Sequence, residues 1–192
     1  GPLILALPGS RRGEVTRLAP VIGAVLAQIK AVHPQARVVL PTVRGVADLV
    51  ADLSKNWPIT PMIIQDKAQK RAAFGVADVA IAASGTVSLE LAANGCPMVI
   101  AYDMHPLTLW LMRRAALIDT VTLVNLVSET RVVPEFIGER CRADLIAPAV
   151  LGLLADSGAQ DSAMAKTMQL LGQGGEAPGL RAAKSVLDFI KA

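Results

Sequence analysis

Several functional classes are closed off by what this chain has little of. Aromatic residues make up only 3% of it, and there are two histidines and two cysteines in 192 residues. Cys96 and Cys141 are too few for a disulfide framework or a zinc site, so a reducing cytosol is the expected setting and both are expected to be inert packing residues. No block of five or more Lys/Arg occurs and the net charge is only +3, which argues against nucleic acid as a partner while still suiting phosphorylated ligands. No apolar run approaches the roughly 18 residues a membrane span needs. No signal peptide is expected either, since the chain opens directly on a strand; "GP" ahead of it (residues 1–2) reads as a tag scar at the edge of a truncated chain. Neither a Walker loop nor a Gly-x-Gly-x-x-Gly fingerprint is present, and the latter absence disfavours a Rossmann reductase. No metal cluster or Ser-His-Asp spacing can be argued, and no cofactor is implied.

What remains is aliphatic. Hydrophobic residues reach 53%, in short runs separated by helical patterns. "LILAL", "ARVVLP", "PMIIQ", "DVAIAA" and "PMVIAY" read as buried strands, and "VTLVNLV" as a short sixth strand running into a loop. Helical patterns stand between them: "EVTRLAPVIGAVLAQIKAVH", "RGVADLVADLSKN", "KAQKRAAFGVA" and "VSLELAANG". "HPLTLWLMRRAAL" is a further helix, with Trp110 on its apolar face. "VVPEFIGERC" reads as a loop and helix start. Strands alternate with helices to about residue 125, which predicts an α/β fold: a Rossmann-like doubly wound parallel sheet with extra C-terminal helices. Residues 3–155 form the expected nucleotide-binding domain and 156–192 a helical extension, with "GQGGEAPG" as a flexible joint.

In such a sheet, ligands sit beyond the carboxyl ends of the strands. Two loops there carry candidate chemistry. In "LPGSRRGE", Gly9 permits close backbone approach, Ser10 offers a hydroxyl, and Arg11 and Arg12 can fork onto phosphate oxygens; a plain turn with solvated arginines is the alternative. In "ASGTVSLE", Ser84 is expected to cap a helix while Gly85 and Thr86 leave free N–H groups at its positive end, an anion site suited to a diphosphate. Glu90, on the same helical face as Thr86, either complements the helix dipole or accepts hydrogen bonds from a ribose. His105 could face the crevice, His33 is a helix-end residue, and Asp78 and Asp103 read as caps. Asn125 is unusual in an apolar segment, because a buried amide needs partners.

Together, "LALPGSRRGEV", "IAASGTVSLELAANGCPMVIAY", "HPLTLWL", "VNLV" and "VVPEF" resemble the lipid A disaccharide synthases, in order and spacing, over essentially the whole chain. The resemblance implies the C-terminal, donor-binding half of a two-domain GT-B glycosyltransferase of lipid A and lipopolysaccharide biosynthesis. Such an enzyme moves 2,3-diacylglucosamine from its UDP conjugate to 2,3-diacylglucosamine 1-phosphate, releasing UDP. Carried over by position, Arg11 and Asn125 would be catalytic, and Gly9, Ser10, Arg11, Ser84, Gly85, Thr86, Glu90, Tyr102 and Asn125 would hold the UDP-sugar. The implied partners are the donor, UDP, an absent N-terminal acceptor domain carrying the general base, and the cytoplasmic face of the inner membrane; a homodimer is compatible. The isolated half is expected to be inactive. Two departures stand out: Val124 replaces the proline usual before the asparagine, and Tyr102-Asp103-Met104 replaces "YRM". Other UDP-sugar proteins of the same fold, such as the peptidoglycan glucosaminyl transferase or a UDP-N-acetylglucosamine epimerase, share the barer Ser-Gly-Thr…Glu pattern. A non-catalytic nucleotide-binding module is the reading from another class.

Overall fold

In this computed structural model, residues 1–103 and 119–191 are described. The expected helix "HPLTLWLMRRAAL" (residues 105–117), with His105 and Trp110, lies outside them. Six strands, β1 (Leu3–Leu7), β2 (Arg37–Pro41), β3 (Met62–Ile64), β4 (Val79–Ala83), β5 (Met98–Tyr102) and β6 (Glu135–Ile137), form one sheet in the order β3-β2-β1-β4-β5-β6. Every neighbouring pair is parallel, with Ile4 opposite both Val38 and Val79. This is the doubly wound Rossmann order, and the direction of winding reverses between β1 and β4. Strands covered on both faces must be apolar at every position. β4 meets that demand, since Val79–Ala83 is buried throughout, and its three alanines let the covering helices approach closely.

One face carries α1 (Arg12–Val32), α2 (Ala47–Ser54) and α6 (Ala143–Ala155), which bury Ile22, Leu26, Val50 and Ile146 against the sheet. α1 ends where His33 donates its N–H to Ile29 O (2.7 Å), just before Pro34, whose ring disfavours helix in the preceding residue. Among the described residues, α1 is the one helix that by length and mean composition would pass for a membrane span, contrary to the expectation that nothing here does. Its apolar stripe instead lies buried on the sheet.

The other face carries α3 (Lys67–Val76), α4 (Val87–Ala93), α5 (Leu123–Ser128) and α7 (Gly158–Leu170). α7 falls inside the expected extension, yet Ala163, Met164 and Met168 share the core with Phe74, Leu91 and Val124. Gln160 fixes it: the side chain accepts from Met98 N and donates to Met98 O, both at 2.9 Å, and completes the hydrogen bonding at the start of β5. Beyond Gly172 and Gly174, both at positive φ, α8 (Pro178–Lys191) stands out with Phe189 and Ile190 exposed.

Two elements differ from the sequence expectation. "VTLVNLV" is not a strand: Leu123–Ser128 is helical and buries Val124, Asn125 and Ser128 on one face. The sixth strand is instead Glu135–Ile137, within the expected loop and helix start. β-branched composition pointed to a strand, but contact with α7 and the left-handed stop at Glu129 (φ 58°) decide for a helix.

Candidate functional site

A cleft of about 440 Å³ opens beyond the carboxyl ends of β1, β2 and β4. Gly9, Ser10, Arg11, Ser84, Gly85, Thr86 and Glu90 all line it, so the two loops singled out by sequence do converge. They meet because β1 and β4 are neighbours, although the strands lie more than 70 positions apart in register partners such as Leu5 and Ala80.

The first loop is built around Glu14. Its Oε2 accepts the N–H groups of Ser10 (3.1 Å) and Arg11 (3.3 Å), and its Oε1 accepts from Arg11 Nη1 (2.9 Å). Only this half of a capping box is possible, because a guanidinium has no acceptor to offer the first turn. Gly9 sits at φ +111°, and a Cβ there would lie 2.5 Å from Glu14 Oε2. Glycine is therefore required for the carboxylate to reach back over the loop. The Arg11 side chain is 82% exposed, so most of its fork faces solvent at the cleft mouth.

The second loop corrects one expectation. Ser84 is not the helix cap: Thr86 holds that position with helical φ −63°, and α4 begins at Val87. Gly85, at φ +147°, turns the chain first, and Ser88 Oγ donates back to Gly85 O (2.9 Å). Ser84 Oγ instead reaches Val121 O at 3.5 Å. The N–H groups of Gly85, Thr86 and Val87 have no acceptor among the described residues, so the row of free donors extends one residue further than expected, to Val87. Glu90, in the first turn of α4, pairs with Lys70 Nζ at 2.7 Å.

Asn125 and Tyr102 do not line this cleft. Asn125 is 1% exposed, and its amide clips Val133, donating from Nδ2 to the carbonyl (2.9 Å) and accepting at Oδ1 from the N–H (3.0 Å). Glu135 Oε1 gathers the same segment, accepting from Val121 N (3.1 Å), Thr122 N (2.9 Å) and Thr120 Oγ1. That network sets Val121 against Ser84. Tyr102 closes β5 opposite Ile137, half-buried. Burial, with Asp78 nearby, pushes the Cys96 thiol up to about 12, and burial with Asp103 raises Cys141 to about 11. Both stay protonated and unreactive at neutral pH. Among the described residues, no three His, Cys, Asp or Glu gather as metal ligands.

Sequence reasoning missed Glu14, Lys70, and Pro41–Val43 at the end of β2, all of which line the cleft. The β2 end could have been found, since the switch-point rule applies to its loop as well. In sequence Lys70 is only one residue of the helical pattern "KAQKRAAFGVA", and its partner lies 20 residues away on another element.

Residues 1–186 match the model of the lipid-A-disaccharide synthetase family. The chain belongs to that family. A lipid-A-disaccharide synthase of Ruegeria pomeroyi is 56% identical over 97% of this chain and 49% of that protein. The chain thus spans about half the length of the curated relatives it matches. Among solved structures, the calicheamicin glycosyltransferase aligns over all of this chain and 44% of its own (TM-score 0.62, 19% identity). A Neisseria meningitidis UDP-GlcNAc 2-epimerase bound to UDP-GlcNAc aligns over 87% of this chain and 39% of its own, with TM-score 0.55 and 15% identity. At such identities these likenesses speak for the fold, the Rossmann-like half of GT-B proteins.

Proposed function

We propose that this chain is the donor-binding half of an inverting glycosyltransferase that makes the lipid A disaccharide. The observation that carries the reading is the convergence of an arginine loop and a row of unpartnered amides on one cleft, in a chain of this family. The full enzyme transfers 2,3-diacylglucosamine from UDP-2,3-diacylglucosamine to 2,3-diacylglucosamine 1-phosphate. The acceptor 6-hydroxyl oxygen bonds to C1 of the donor, the C1–O bond to the β-phosphate breaks, and UDP leaves. The hydroxyl proton passes to a base, which this reading places in the N-terminal half.

In the transition state, negative charge grows on the β-phosphate. Donors already aimed at that position lower the barrier because they need no reorganisation. The Gly85–Val87 amides and the Arg11 fork supply them, while Glu90 takes the ribose hydroxyls. Asn125 acts at one remove from the cleft, holding the 120–135 segment beside Ser84. Tyr102 completes the donor side at the end of β5. Both substrates are lipids, so the full enzyme works at the cytoplasmic face of the inner membrane.

One observation favours a second reading, a non-catalytic module. Arg11 and Glu90 both sit in ion pairs, with Glu14 and Lys70, that tie local structure on their own. Calorimetric titration with UDP, with NAD alongside and an Arg11→Ala control, separates the two. The donor reading expects saturable UDP binding, none for NAD, and at least a roughly tenfold weaker affinity in the variant, the scale of a lost charge-assisted hydrogen bond. An unchanged affinity with a lowered melting temperature would favour the module.

A further inference from the structure

Lys70 stands outside every motif of the sequence, yet it shapes the cleft. Asp66 accepts the N–H groups of Ala68 (3.0 Å) and Gln69 (2.9 Å) and so fixes where α3 begins. That start places Lys70 on the side of α3 that meets α4. Its Nζ lies 2.7 Å from Glu90 Oε2 and 5.1 Å from the centre of the Phe74 ring, itself only 2% exposed. The ammonium is thus braced between a carboxylate and a buried aromatic face, a better-fixed arrangement than a free surface pair. Among the described residues, Glu90 Oε1 accepts no hydrogen bond.

A bare carboxylate beside a diphosphate would repel it. Pairing removes that conflict and leaves one oxygen available. We infer that Lys70 is a positioning residue for nucleotide selection: it neutralises Glu90 and orients the carboxylate so that Oε1 accepts the hydroxyls of a ribose. The inference rests on the donor reading above, and it adds a determinant of ribose over deoxyribose on a helix which that reading does not use.

Calorimetric titration of the chain with UDP and with 2′-deoxy-UDP tests it, on the wild type and the variants Glu90→Gln, Lys70→Met and Lys70→Arg. The expected wild-type preference for UDP is roughly tenfold, the scale of one hydrogen bond to a charged group. Lys70→Met should bring the ratio close to one, as should Glu90→Gln, while Lys70→Arg keeps most of the preference. A merely structural lysine would alter melting temperature and not this ratio. If Lys70→Met weakens both nucleotides equally and keeps the ratio, Lys70 only adds charge and the inference falls while the donor reading stands. If the wild type binds both nucleotides equally, Glu90 does not read the ribose and the inference falls with it. Binding of neither nucleotide overturns the donor reading, and this one with it.

Discussion

Gly9 shows how tightly one residue can be specified. Its positive φ and the 2.5 Å approach of Glu14 Oε2 to any Cβ leave no room for a side chain. Gly9→Ala should lose about 1–3 kcal/mol in urea denaturation, the cost of a strained backbone position, and should weaken UDP binding along with it. The cysteines give a prediction of another kind. Their thiol pKa values are raised from 9.0 to about 12 and about 11 in the folded chain. Below pH 9 both states hold the proton and nothing changes; above it the unfolded chain loses its protons first. Stability should therefore fall from about pH 9 upward, by as much as about 1.4 kcal/mol per pH unit for each thiol, until the folded pKa is reached. Denaturation midpoints at pH 8, 9 and 10 check this, and Cys96→Ala should flatten the slope. At this scale the sequence was most legible where conformation is local. A glycine before Ser-Arg, or Gly-Thr ahead of a helix, carries its own geometry. Lys70 was hidden because its partner stands on another helix, a pairing that leaves no mark in spacing; Glu14, three residues after Arg11, pairs locally, and its capping-box spacing was there to be read.

Secondary-structure elements here are held by side chains that act as substitute backbone. Gln160 from α7 serves both polar groups of Met98, and Asn125 does the same for Val133. Truncating either orphans a buried donor and acceptor, at about 1–3 kcal/mol for each group. Gln160→Ala and Asn125→Ala should both shift urea midpoints strongly. Asn125→Ala should in addition disturb the contact of Val121 with Ser84, visible as a loss of UDP affinity beyond the loss of stability. These clips also explain why β6 and α5 were misread. A three-residue strand has too few residues to show alternation, and the helix 123–128 takes its shape from the amide within it. The four five-residue strands, β1, β2, β4 and β5, were readable because burial on both faces demands unbroken apolar runs, while β3, as short as β6, was legible from the aliphatic run Met62–Ile64.

On the scale of the molecule, the doubly wound class and the convergence of the two loops could be read from alternation alone; the closeness of α7 to the core could not, because its glutamine and threonine look like surface residues in a list. Gln160 and Thr167 are in fact buried. α8 is the opposite case. It buries nothing in the described sheet, so its amides should exchange with solvent far faster than those of α7 in hydrogen exchange. A chain ending at Ala177 should melt within about 2 °C of the present one.

The placing of β4 beside β1 has a consequence in time. Within this half, β1 and the arginine loop leave the ribosome ahead of two whole strand–helix units that pack on the far side of β1. The strand that completes the cleft, Val79–Ala83, and the amides after it come only then. On the donor reading, a nascent chain that stops short of residue 87 holds the guanidinium but not the full row of amides, so a phosphate ligand has nothing to select. Binding competence should arrive abruptly as β4 docks rather than accumulate with length.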